Sequence, residues 1–294
     1  MRLLIKFNAI FTLVFAAGMS IAGFLTYRRL QADARSEVLD QARLMMEAML
    51  SVRNYTNLQL KPLLEPVESR EKEFLPQTVP AFAATEDFNY LRKRFPDYSY
   101  KEASLNPTNP RDRAVDWEAD IITSFRNSPQ LRELDGERAA ATGPSLFYAQ
   151  PIRADAPCMP CHSQPERAPA AMVALYGPSN GFGWKQGEVV AAQIISIPMA
   201  IPLNMASDDF RQVLIDLAVV FVVSLIVLNV AVYFMIARPV GLLSRMADQI
   251  SLGRQDVPEL PVRGRDEIAQ LAGSFNRMRR SLATAMKMLG EHDN

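Results

Sequence analysis

This chain of 294 residues has few cysteines, few histidines and no net charge. It contains two cysteines and two histidines, and its 32 basic side chains are balanced by 32 acidic ones. A net charge of zero does not indicate the excess of basic side chains that nucleic-acid-binding proteins show, so we expect no nucleic-acid partner. No nucleophile–base set, glycine-rich phosphate loop or zinc-hydrolase string is present. We therefore expect a protein that is not an enzyme.

Both cysteines fall within one string, Cys158-Met159-Pro160-Cys161-His162. The Cys-x-x-Cys-His spacing is the attachment signature of a c-type haem. Two thiols three positions apart add to the two vinyl groups of one porphyrin, and the adjacent histidine lies under the iron. We predict one covalent haem c, held by Cys158, Cys161 and His162, with His162 as the proximal iron ligand.

Two other chemistries use the same residue types. Cys158, Cys161 and His162 would serve as three zinc ligands. A structural zinc site needs a fourth ligand, but the region between the apolar segments contains no further cysteine or histidine. A Cys-x-x-Cys pair is also a thiol redox motif, but the expected strand-to-helix context is absent. With both thiols in one haem site, none is left for a structural disulfide.

Two apolar segments, residues 7–26 and 213–237, are each long enough to cross a bilayer as a helix. The alternative for the first is a cleaved signal peptide. Its apolar run is too long for that, and Tyr27-Arg28-Arg29 is a poor cleavage context. Asp216, near the outer end of the second segment, is expected to be interfacial. We predict two transmembrane helices.

The haem string sets the orientation. Arg238 and Arg245 after the second span favour a cytoplasmic C-terminus. In bacteria haem is attached covalently outside the cytoplasmic membrane, so residues 27–212 are expected in the periplasm. This predicts a two-pass protein of the bacterial inner membrane. Its expected parts are a cytoplasmic N-terminus (1–6), span 1 (7–26), the sensor domain (27–212), span 2 (213–237), a helical domain (238–290) and a tail (291–294).

Periodicity between the spans predicts a mixed α+β domain. A long helix over residues 30–64 should end at Pro62 and Pro66. Shorter helices are predicted over 81–94 and 112–126. Strands are predicted over 98–104, 146–152 and 188–197. The last is expected to be central, because its apolar run is nearly continuous.

The C-terminal part carries a second pattern, which starts at Pro239 directly after the second span. Asp266-Glu267 opens a further helix with apolar residues at alternating steps of three and four, the spacing of a coiled-coil seam. The seam consists of Ile268, Leu271, Phe275, Met278, Leu282, Ala285 and Leu289. Two amphipathic helices joined by an irregular loop after a span resemble an all-α HAMP domain. The alternative is a generic juxtamembrane coiled coil. Either predicts a parallel homodimer.

The region between the spans resembles a family of bacterial sensors whose periplasmic PAS-like domain carries a c-type haem, often described only as a domain of unknown function. The resemblance covers roughly residues 40–200. It rests on Ser51-Val52-Arg53-Asn54-Tyr55-Thr56, Pro76-Gln77-Thr78-Val79-Pro80-Ala81-Phe82, Asn106-Pro107-Thr108-Asn109-Pro110, Asp116-Trp117-Glu118, the Cys158–His162 string, Tyr176-Gly177 and Gly181-Phe182-Gly183-Trp184. It implies a PAS-like sheet with the haem held against it and a long N-terminal helix.

The sixth iron position is left open by the sequence. The second histidine, His292, lies in the predicted cytoplasmic tail, so bis-histidine ligation within one protomer is excluded under this topology. Similar haem domains can use a distal cysteine as the sixth ligand, but both cysteines of this chain are expected in thioether bonds, so it departs from that pattern. Methionine ligation raises the reduction potential, although methionine is also an ordinary core residue. The candidates are Met45, Met46, Met49 and Met172, with an open, gas-binding site as the alternative.

Other side chains are candidates for contact with the porphyrin or its ligand, each with an ordinary structural role as the alternative. The candidate aromatic neighbours are Trp117, Phe147, Tyr148, Phe182 and Trp184. The candidate donors to a bound ligand are Tyr55, Tyr90 and Tyr100. The candidate partners of the propionates are Arg153, Arg167 and Lys185.

Together these features predict a membrane-bound sensor that detects redox state or a small gas through its haem and relays the signal through HAMP. No kinase, cyclase or methyl-accepting region follows the seam in this sequence, so the output is expected from a separate cytoplasmic kinase, cyclase or chemoreceptor-like protein. The alternative is a membrane-anchored monohaem c-type cytochrome for electron transfer. A HAMP relay favours the sensor, because an electron carrier has no use for it.

Overall fold

The computed structural model describes residues 2–140, 143–252, 254, 257–262 and 264–292, and leaves out the side chains of residues 2, 3, 286, 287 and 289–292. The chain divides into two compact units. One is Tyr27–Asp209, called the sensor unit below. The other, called the membrane unit, combines Met1–Thr26 with Phe210–Asn294.

The sensor unit is built on a four-stranded antiparallel sheet of order β1-β4-β3-β2. The strands are β1 (Ser99–Ser104), β2 (Leu134–Ala140), β3 (Gly143–Arg153) and β4 (Val189–Pro198). The interior strand β4 is buried at nine of its ten residues. Its nearly continuous apolar run therefore reflects burial on both faces, as the sequence predicted. The sheet with its flanking helices confirms the α+β fold.

The described residues also form nine α-helices, which are distributed over the two units. They are α1 (Arg2–Tyr55), α2 (Lys61–Glu71), α3 (Pro80–Arg92), α4 (Asp116–Asn127), α5 (Met159–His162), α6 (Ala170–Tyr176), α7 (Ala200–Val232), α8 (Arg238–Ser251) and α9 (Glu267–His292). The predicted helix 112–126 begins four residues later than expected. Pro110–Asp112 instead forms a short 3-10 turn, and Glu118 caps α4 by accepting the backbone N–H of Val115 at 2.9 Å.

The two faces of the sheet bury separate apolar clusters, since successive strand residues point to opposite sides. On the first face, α1 and α3 pack over the sheet. That cluster contains Val38, Ala42, Met46, Met49, Ala84, Phe88, Tyr100, Leu146, Tyr148, Ile195, Ile197 and Met199. On the second face, α4 packs over the sheet. That cluster contains Ala103, Ile121, Ile122, Phe125, Ala149, Val189, Ala192 and Ile194.

The prediction that Pro62 and Pro66 end the long helix is wrong. A single π-helical turn, Thr56–Leu60, joins α1 to α2, and Pro66 lies inside α2. A helical proline has no N–H and its ring clashes with the carbonyl four residues earlier. The wider turn relieves this conflict at Pro62: the N–H of Lys61 bonds to the carbonyl of Thr56, five residues back. The helix therefore bulges and continues.

Strand β2 was not predicted from the sequence. Its residues Leu-Asp-Gly-Glu-Arg-Ala-Ala include three charged side chains and one glycine, and apolar and polar residues do not alternate clearly. It forms an edge of the sheet, and charged side chains fix it to α1. The Arg35 guanidinium bonds to Asp135 at 2.8 Å and to Glu137 at 2.9 Å. Strand β2 is therefore held by non-local ion pairs and by hydrogen bonding to β3. Its sequence lacks the alternating pattern that would have predicted a half-buried strand.

Among the described residues, two helices are long and apolar enough to cross a membrane by length and composition: Leu4–Glu71 and Ala200–Ser251. The apolar segments 7–26 and 213–237 of these helices belong to the membrane unit. Aromatic side chains join them, with the Phe15 and Phe221 ring centroids 4.5 Å apart and those of Phe11 and Phe221 5.8 Å apart. A second π-helical turn, Tyr233–Ala237, connects α7 to α8 and lies just before Pro239. The same steric reason applies as at Pro62.

Polar contacts organise the two C-terminal helices. The carboxamide of Asn276 is buried and holds both backbone groups of Leu260: it accepts the N–H at 3.0 Å and donates to the C=O at 2.9 Å. Asp266 caps α9 by accepting the N–H of Ala269 at 2.8 Å. Apolar packing joins α8, α9 and the connector through Leu243, Met246, Val257, Leu260 and Ala272.

The predicted seam of α9 faces away from this packing. Leu271, Met278 and Leu282 are about half exposed, whereas Ala269 and Ala272 on the neighbouring face are buried. Phe275 contributes partly to the packing within the chain. The side chain of Leu289 lies outside the described residues. One chain thus leaves most of the described seam uncovered.

Candidate haem-attachment site

The Cys-x-x-Cys-His string forms a short helical turn directly after β3. A 3-10 turn, Ala156–Cys158, leads into α5, and Pro157 and Pro160 stand at the starts of these turns, where the missing N–H costs nothing. Positions three apart lie on the same side of a helix, so Cys158 and Cys161 share a side. Both thiols are free and partly exposed. The turn therefore places both cysteines on one side of the same short helical segment.

The imidazole of His162 is held in one tautomer. Its Nδ1 lies 2.7 Å from the carbonyl oxygen of Gly181. A carbonyl only accepts, so Nδ1 carries the proton and donates it, which leaves the lone pair on Nε2. Burial lowers the pKa of His162, and the bond to Gly181 opposes this only in part. A neutral imidazole with a backbone-bonded Nδ1–H is the arrangement that metal-ligating histidines use.

Trp184 fixes the plane of that imidazole. The two rings are stacked, with centroids 3.9 Å apart and planes 9° apart. Two backbone hydrogen bonds join the same segments: the Trp184 N–H donates to the His162 carbonyl at 3.2 Å, and the Gly183 N–H donates to that of Ser163 at 3.1 Å. The loop of residues 181–184 therefore positions His162 through its ring face, its Nδ1 and its backbone.

Gly181 is required by geometry. Its φ of +82° lies in the region that favours glycine. A Cβ at this position would lie 1.9 Å from Thr108 Oγ1 and 2.9 Å from Thr108 Cα. The Thr108 hydroxyl also lies 3.5 Å from His162 Nδ1. The loop 106–110 therefore packs so tightly on residues 181–184 that only glycine fits, and this packing brings the Gly181 carbonyl to the histidine.

Charged residues on both sides of the bulge between α1 and α2 act electrostatically on the two thiols. Burial raises the pKa of the Cys161 thiol, and charges on α2 also act on it: Lys61 lowers this pKa and Glu68 raises it. Near the end of α1, the guanidinium of Arg53 interacts electrostatically with Cys158. The residues flanking the bulge are therefore close enough to the attachment string to affect its thiols electrostatically.

Arg53 also belongs to a buried polar cluster on the first face of the sheet. Its guanidinium forms an ion pair and hydrogen bond with Glu102, whose side chain is 5 % exposed. The Tyr100 hydroxyl donates to the other Glu102 oxygen at 2.6 Å and lies 3.1 Å from Gln193 Oε1. Burial and the adjacent Glu102 raise the pKa of Tyr100 well above its usual value. This phenol therefore remains a hydrogen-bond donor.

The methionine candidates for the sixth ligand lie in two places. Met46 and Met49 are buried in the apolar cluster of the first face, and Met45 packs against it. Met172 is buried on α6, ten residues after His162. Met45, Met46 and Met49 therefore have an ordinary role as core residues. The assignment of the sixth ligand stays a prediction. The side chain of His292 lies outside the described residues.

Of the aromatic candidates, the structure brings Trp184 to the site. Trp117 packs on Phe147, with centroids 5.7 Å apart, beside the cluster of the second face. Trp117 and Phe147 therefore lie on the face of the sheet opposite to Glu102, which is the partner of Arg53. Tyr148 is buried in the first-face cluster and donates to Glu133 at 2.6 Å. Phe182 lies partly buried in the loop that holds His162.

The remaining candidates have varied surroundings. Tyr55 and Tyr90 are largely exposed, whereas Tyr100 is buried in the polar cluster. Arg153 donates to the backbone carbonyl of Pro129 at 2.8 Å. Arg167 and Lys185 are exposed close to the string in sequence. The propionate assignments stay predictions.

Comparison with known proteins gives two matches to protein-family models. Residues 30–198, more than half of the chain, match the model of the Tll0287-like family, described as Tll0287. The chain belongs to the Tll0287-like family. Residues 232–284 match the HAMP domain model, which marks the chain as a signal-transduction protein. This confirms the resemblance to haem sensors with a HAMP domain.

One solved structure is similar: the crystal structure of the cyanobacterial haem protein Tll0287. It is 19% identical in sequence and superposes with a TM-score of 0.42, covering 55% of this chain and 95% of that one. No curated protein matches the chain.

Several residues of this Tll0287-like site were not singled out as functional by the sequence. Gly181, Thr108 and Arg53 stand within the strings that carried the family resemblance, but nothing in their spacing gave them a role. Gln193 had a usable signal, because it interrupts the apolar run of β4. Glu102 had none beyond its place in a short strand.

Proposed function

We propose that this chain is a two-pass sensor of the bacterial inner membrane whose periplasmic domain, residues 27–212, carries one covalent haem c. Cys158 and Cys161 supply the thioether sulfurs, and Nε2 of His162 supplies the proximal ligand. The sensor responds to redox state or a small gas. It has no catalytic role of its own and signals through a HAMP homodimer, residues 238–290, to a separate cytoplasmic protein.

The observation that carries the proposal is the hydrogen bond from His162 Nδ1 to the Gly181 carbonyl. It leaves Nε2 unprotonated, next to two free thiols spaced for thioether attachment. A haem bound there would supply an iron centre whose charge and ligation change with redox state or gas. The residues of this chain hold and orient it: Trp184 fixes the ring plane, and the Gly181 carbonyl tunes the basicity of the imidazole.

Haem attachment is tested by expression with a c-type maturation system. The purified chain should keep its haem stain after denaturing electrophoresis, because thioether bonds survive denaturation. Cys158→Ser/Cys161→Ser should lose the stain. Met159→Leu, which changes the same string but keeps both thiols and the histidine, should retain it. A covalent stain in the double serine variant would overturn the haem assignment.

The proposed relay depends on two chain connections between the haem-attachment domain and the apolar segments. Helix α1 runs continuously from the first apolar segment to the bulge beside the thiols, and β4 leads within two residues into α7. A change of charge or ligation at His162 transmits a signal only if two arrangements of these helices fit the two haem states differently. HAMP then converts the shift into a change of helix packing.

The relay is tested with single cysteines at Val219, Val223 and Val227, which are exposed on α7. Crosslinking across the homodimer in membranes should differ between oxidised and reduced haem. Crosslinking patterns that are identical in the two states would remove the sensor assignment and favour the membrane-anchored electron carrier. Haem staining is unaffected by that outcome, so the two parts of the proposal are tested separately.

A further inference from the structure

A cavity of about 410 Å³ in the sensor unit is lined by residues of β1, β4 and β2 and of the helices α3 and α4. Helix α3 contributes Asn89 and Arg92 to it, and β2 contributes Arg138. Trp117 and Ile194 supply apolar wall, whereas Cys158, Cys161 and His162 do not line it. Its volume is within the range of pockets that hold small molecules, about 300 to 1,000 Å³. None of the roles assigned above uses this cavity.

The cavity carries uncompensated positive charge. Four cationic side chains line it, and two of them are neutralised: Lys101 pairs with Glu118 at 2.7 Å, and Arg111 pairs with Glu86 at 2.7 Å. Arg111 also lies 3.3 Å from Asp112. The other two are Arg92 and Arg138. Within the part of the chain that the structure describes, neither forms an ion pair. Their charges are therefore available to a ligand.

The cavity also contains unused hydrogen-bonding groups. The side chains of Asn89, Ser99 and Ser196 make no hydrogen bond to any described residue, although all three line the space. Ser99 and Ser196 are cross-strand partners on β1 and β4, so their side chains lie on one face of the sheet, close together. The amide and the two hydroxyls supply donors beside the free guanidinium groups.

One of the free arginines is already oriented. The guanidinium of Arg138 lies over the indole of Trp117, 4.3 Å from the ring centroid. This cation–π contact holds the guanidinium against the indole and leaves its N–H groups able to donate. A guanidinium held this way is suited to bidentate hydrogen bonding with a planar carboxylate. Trp117 and Ile194 offer contact to a carbon skeleton, which a bare inorganic anion lacks.

From these contacts we infer that the cavity is a binding site for a small organic carboxylate. Arg138 and Arg92 bind the carboxylate oxygens, Asn89 and the two serines donate further hydrogen bonds, and the apolar wall receives the carbon chain. The sensor unit then holds a second ligand site that is independent of haem attachment, because it shares no residue with the Cys158–His162 string.

The test is calorimetric titration of the purified full chain in detergent micelles with acetate, succinate and benzoate, with sulfate as the inorganic comparison. At least one carboxylate should bind saturably and more tightly than sulfate. Asn89→Asp places a carboxylate in the cavity with almost no change of shape and should weaken binding by about tenfold or more. Gln130→Glu adds the same charge on an exposed loop outside the cavity and should leave binding unchanged.

A second pair of variants separates recognition from folding. Arg138→Gln should weaken carboxylate binding by about tenfold or more, since a charge-assisted bidentate pair is lost. Arg132→Gln removes an exposed arginine outside the cavity and should have no effect. The proposal is overturned if none of the three carboxylates binds saturably, if sulfate binds as tightly as they do, or if Asn89→Asp and Arg138→Gln bind like the unmodified chain.

Discussion

Asn8 and Asn229 exchange two hydrogen bonds between the apolar helices of the membrane unit. Each carboxamide donates to the oxygen of the other at 2.9 Å. The Asn229 amide also donates to the Leu225 carbonyl of its own helix at 2.8 Å. Polar side chains in apolar helices form interhelical contacts because hydrocarbon offers them no alternative partner. The reciprocal pair therefore fixes which turns of the two helices face each other.

Breaking this pair should weaken the association of the two helices. We expect Asn8→Ala and Asn229→Ala each to destabilise the pair, with a coupling energy of about 1 kcal/mol in a double-mutant cycle. Stability is measured by detergent-induced unfolding of the full chain. Ser20→Ala is the control, because among the described residues the Ser20 hydroxyl bonds only to the Ala16 carbonyl of its own helix. Additive effects of the two substitutions would show that the amides do not couple.

Gly181→Ala should displace His162, whereas Gly187→Ala should not. The two glycines have nearly the same positive φ, 82° and 83°, so both substitutions carry the same backbone strain. A Cβ at Gly181 clashes with Thr108, while a Cβ at Gly187 meets nothing within 4 Å. We therefore expect a changed Soret spectrum of the haem-loaded protein for Gly181→Ala alone. Equal spectra for the two variants would contradict a positioning role for the Gly181 carbonyl.

Arg53→Met should destabilise the sensor unit strongly, because it leaves Glu102 buried without its cation. A broken buried pair costs about 3 to 5 kcal/mol. Arg53→Met/Glu102→Leu should recover much of that loss, since no buried charge remains. The readout is thermal unfolding followed by tryptophan fluorescence, and both tryptophans lie in this unit.

Arg43→Met is the matched control for the Arg53 variants. It breaks the Arg43–Glu133 pair at 2.9 Å, in which both side chains are nearly half exposed, so we expect a much smaller loss of stability than for Arg53→Met, because solvent screens an exposed pair. A comparable loss for Arg43→Met and Arg53→Met would show that burial of the Arg53–Glu102 pair does not determine its contribution.

The contribution of Asp112 to the stability of the sensor unit should fall between about pH 4 and pH 6. Burial raises the pKa of this carboxyl from its usual 3.8 to about 6, although Arg111 lowers it in part. The folded state therefore favours the protonated acid. This contribution is fully present below pH 4 and is lost as pH rises through 6. It amounts to roughly 3 kcal/mol, at 1.36 kcal/mol per pKa unit.

Asp112→Asn should remove this dependence, so its melting temperature relative to the unmodified chain should be higher at pH 7.5 than at pH 4.5. Asp97→Asn, at an exposed turn, should show the same difference from the unmodified chain at both pH values. An Asp112→Asn difference that does not change with pH would count against a raised pKa.

The exposed seam of α9 should be covered by a second copy of the chain. Cysteines at Leu271 or Met278, each about half exposed, are expected to crosslink to their counterparts in membranes, because a parallel seam brings equivalent residues together. Arg277 lies between them on the outer surface and serves as the control position. Crosslinking that is stronger at Arg277 than at Leu271 and Met278 would contradict the homodimer.

Local features of the sequence were sufficient to predict the order of the main elements. The two apolar segments, the helices near α3 and α4 and the strands β1, β3 and β4 depend on composition and periodicity within one segment, and these were predicted correctly. The HAMP helices were recognised for the same reason, from Pro239, Asp266-Glu267 and the three–four spacing. The Cys-x-x-Cys-His string is equally local, because five consecutive residues contain its chemistry.

Tertiary structure decided everything that depends on contact between distant residues. Helix α1 continues through its bulge into α2, although its prolines indicated an end, because a π-helical turn relieves the clash at Pro62. The tautomer of His162 depends on a carbonyl 19 residues away. The burial of Arg53 depends on Glu102, 49 residues away. Such pairs leave no periodic trace, since their energies arise only when packing excludes water and brings the partners together.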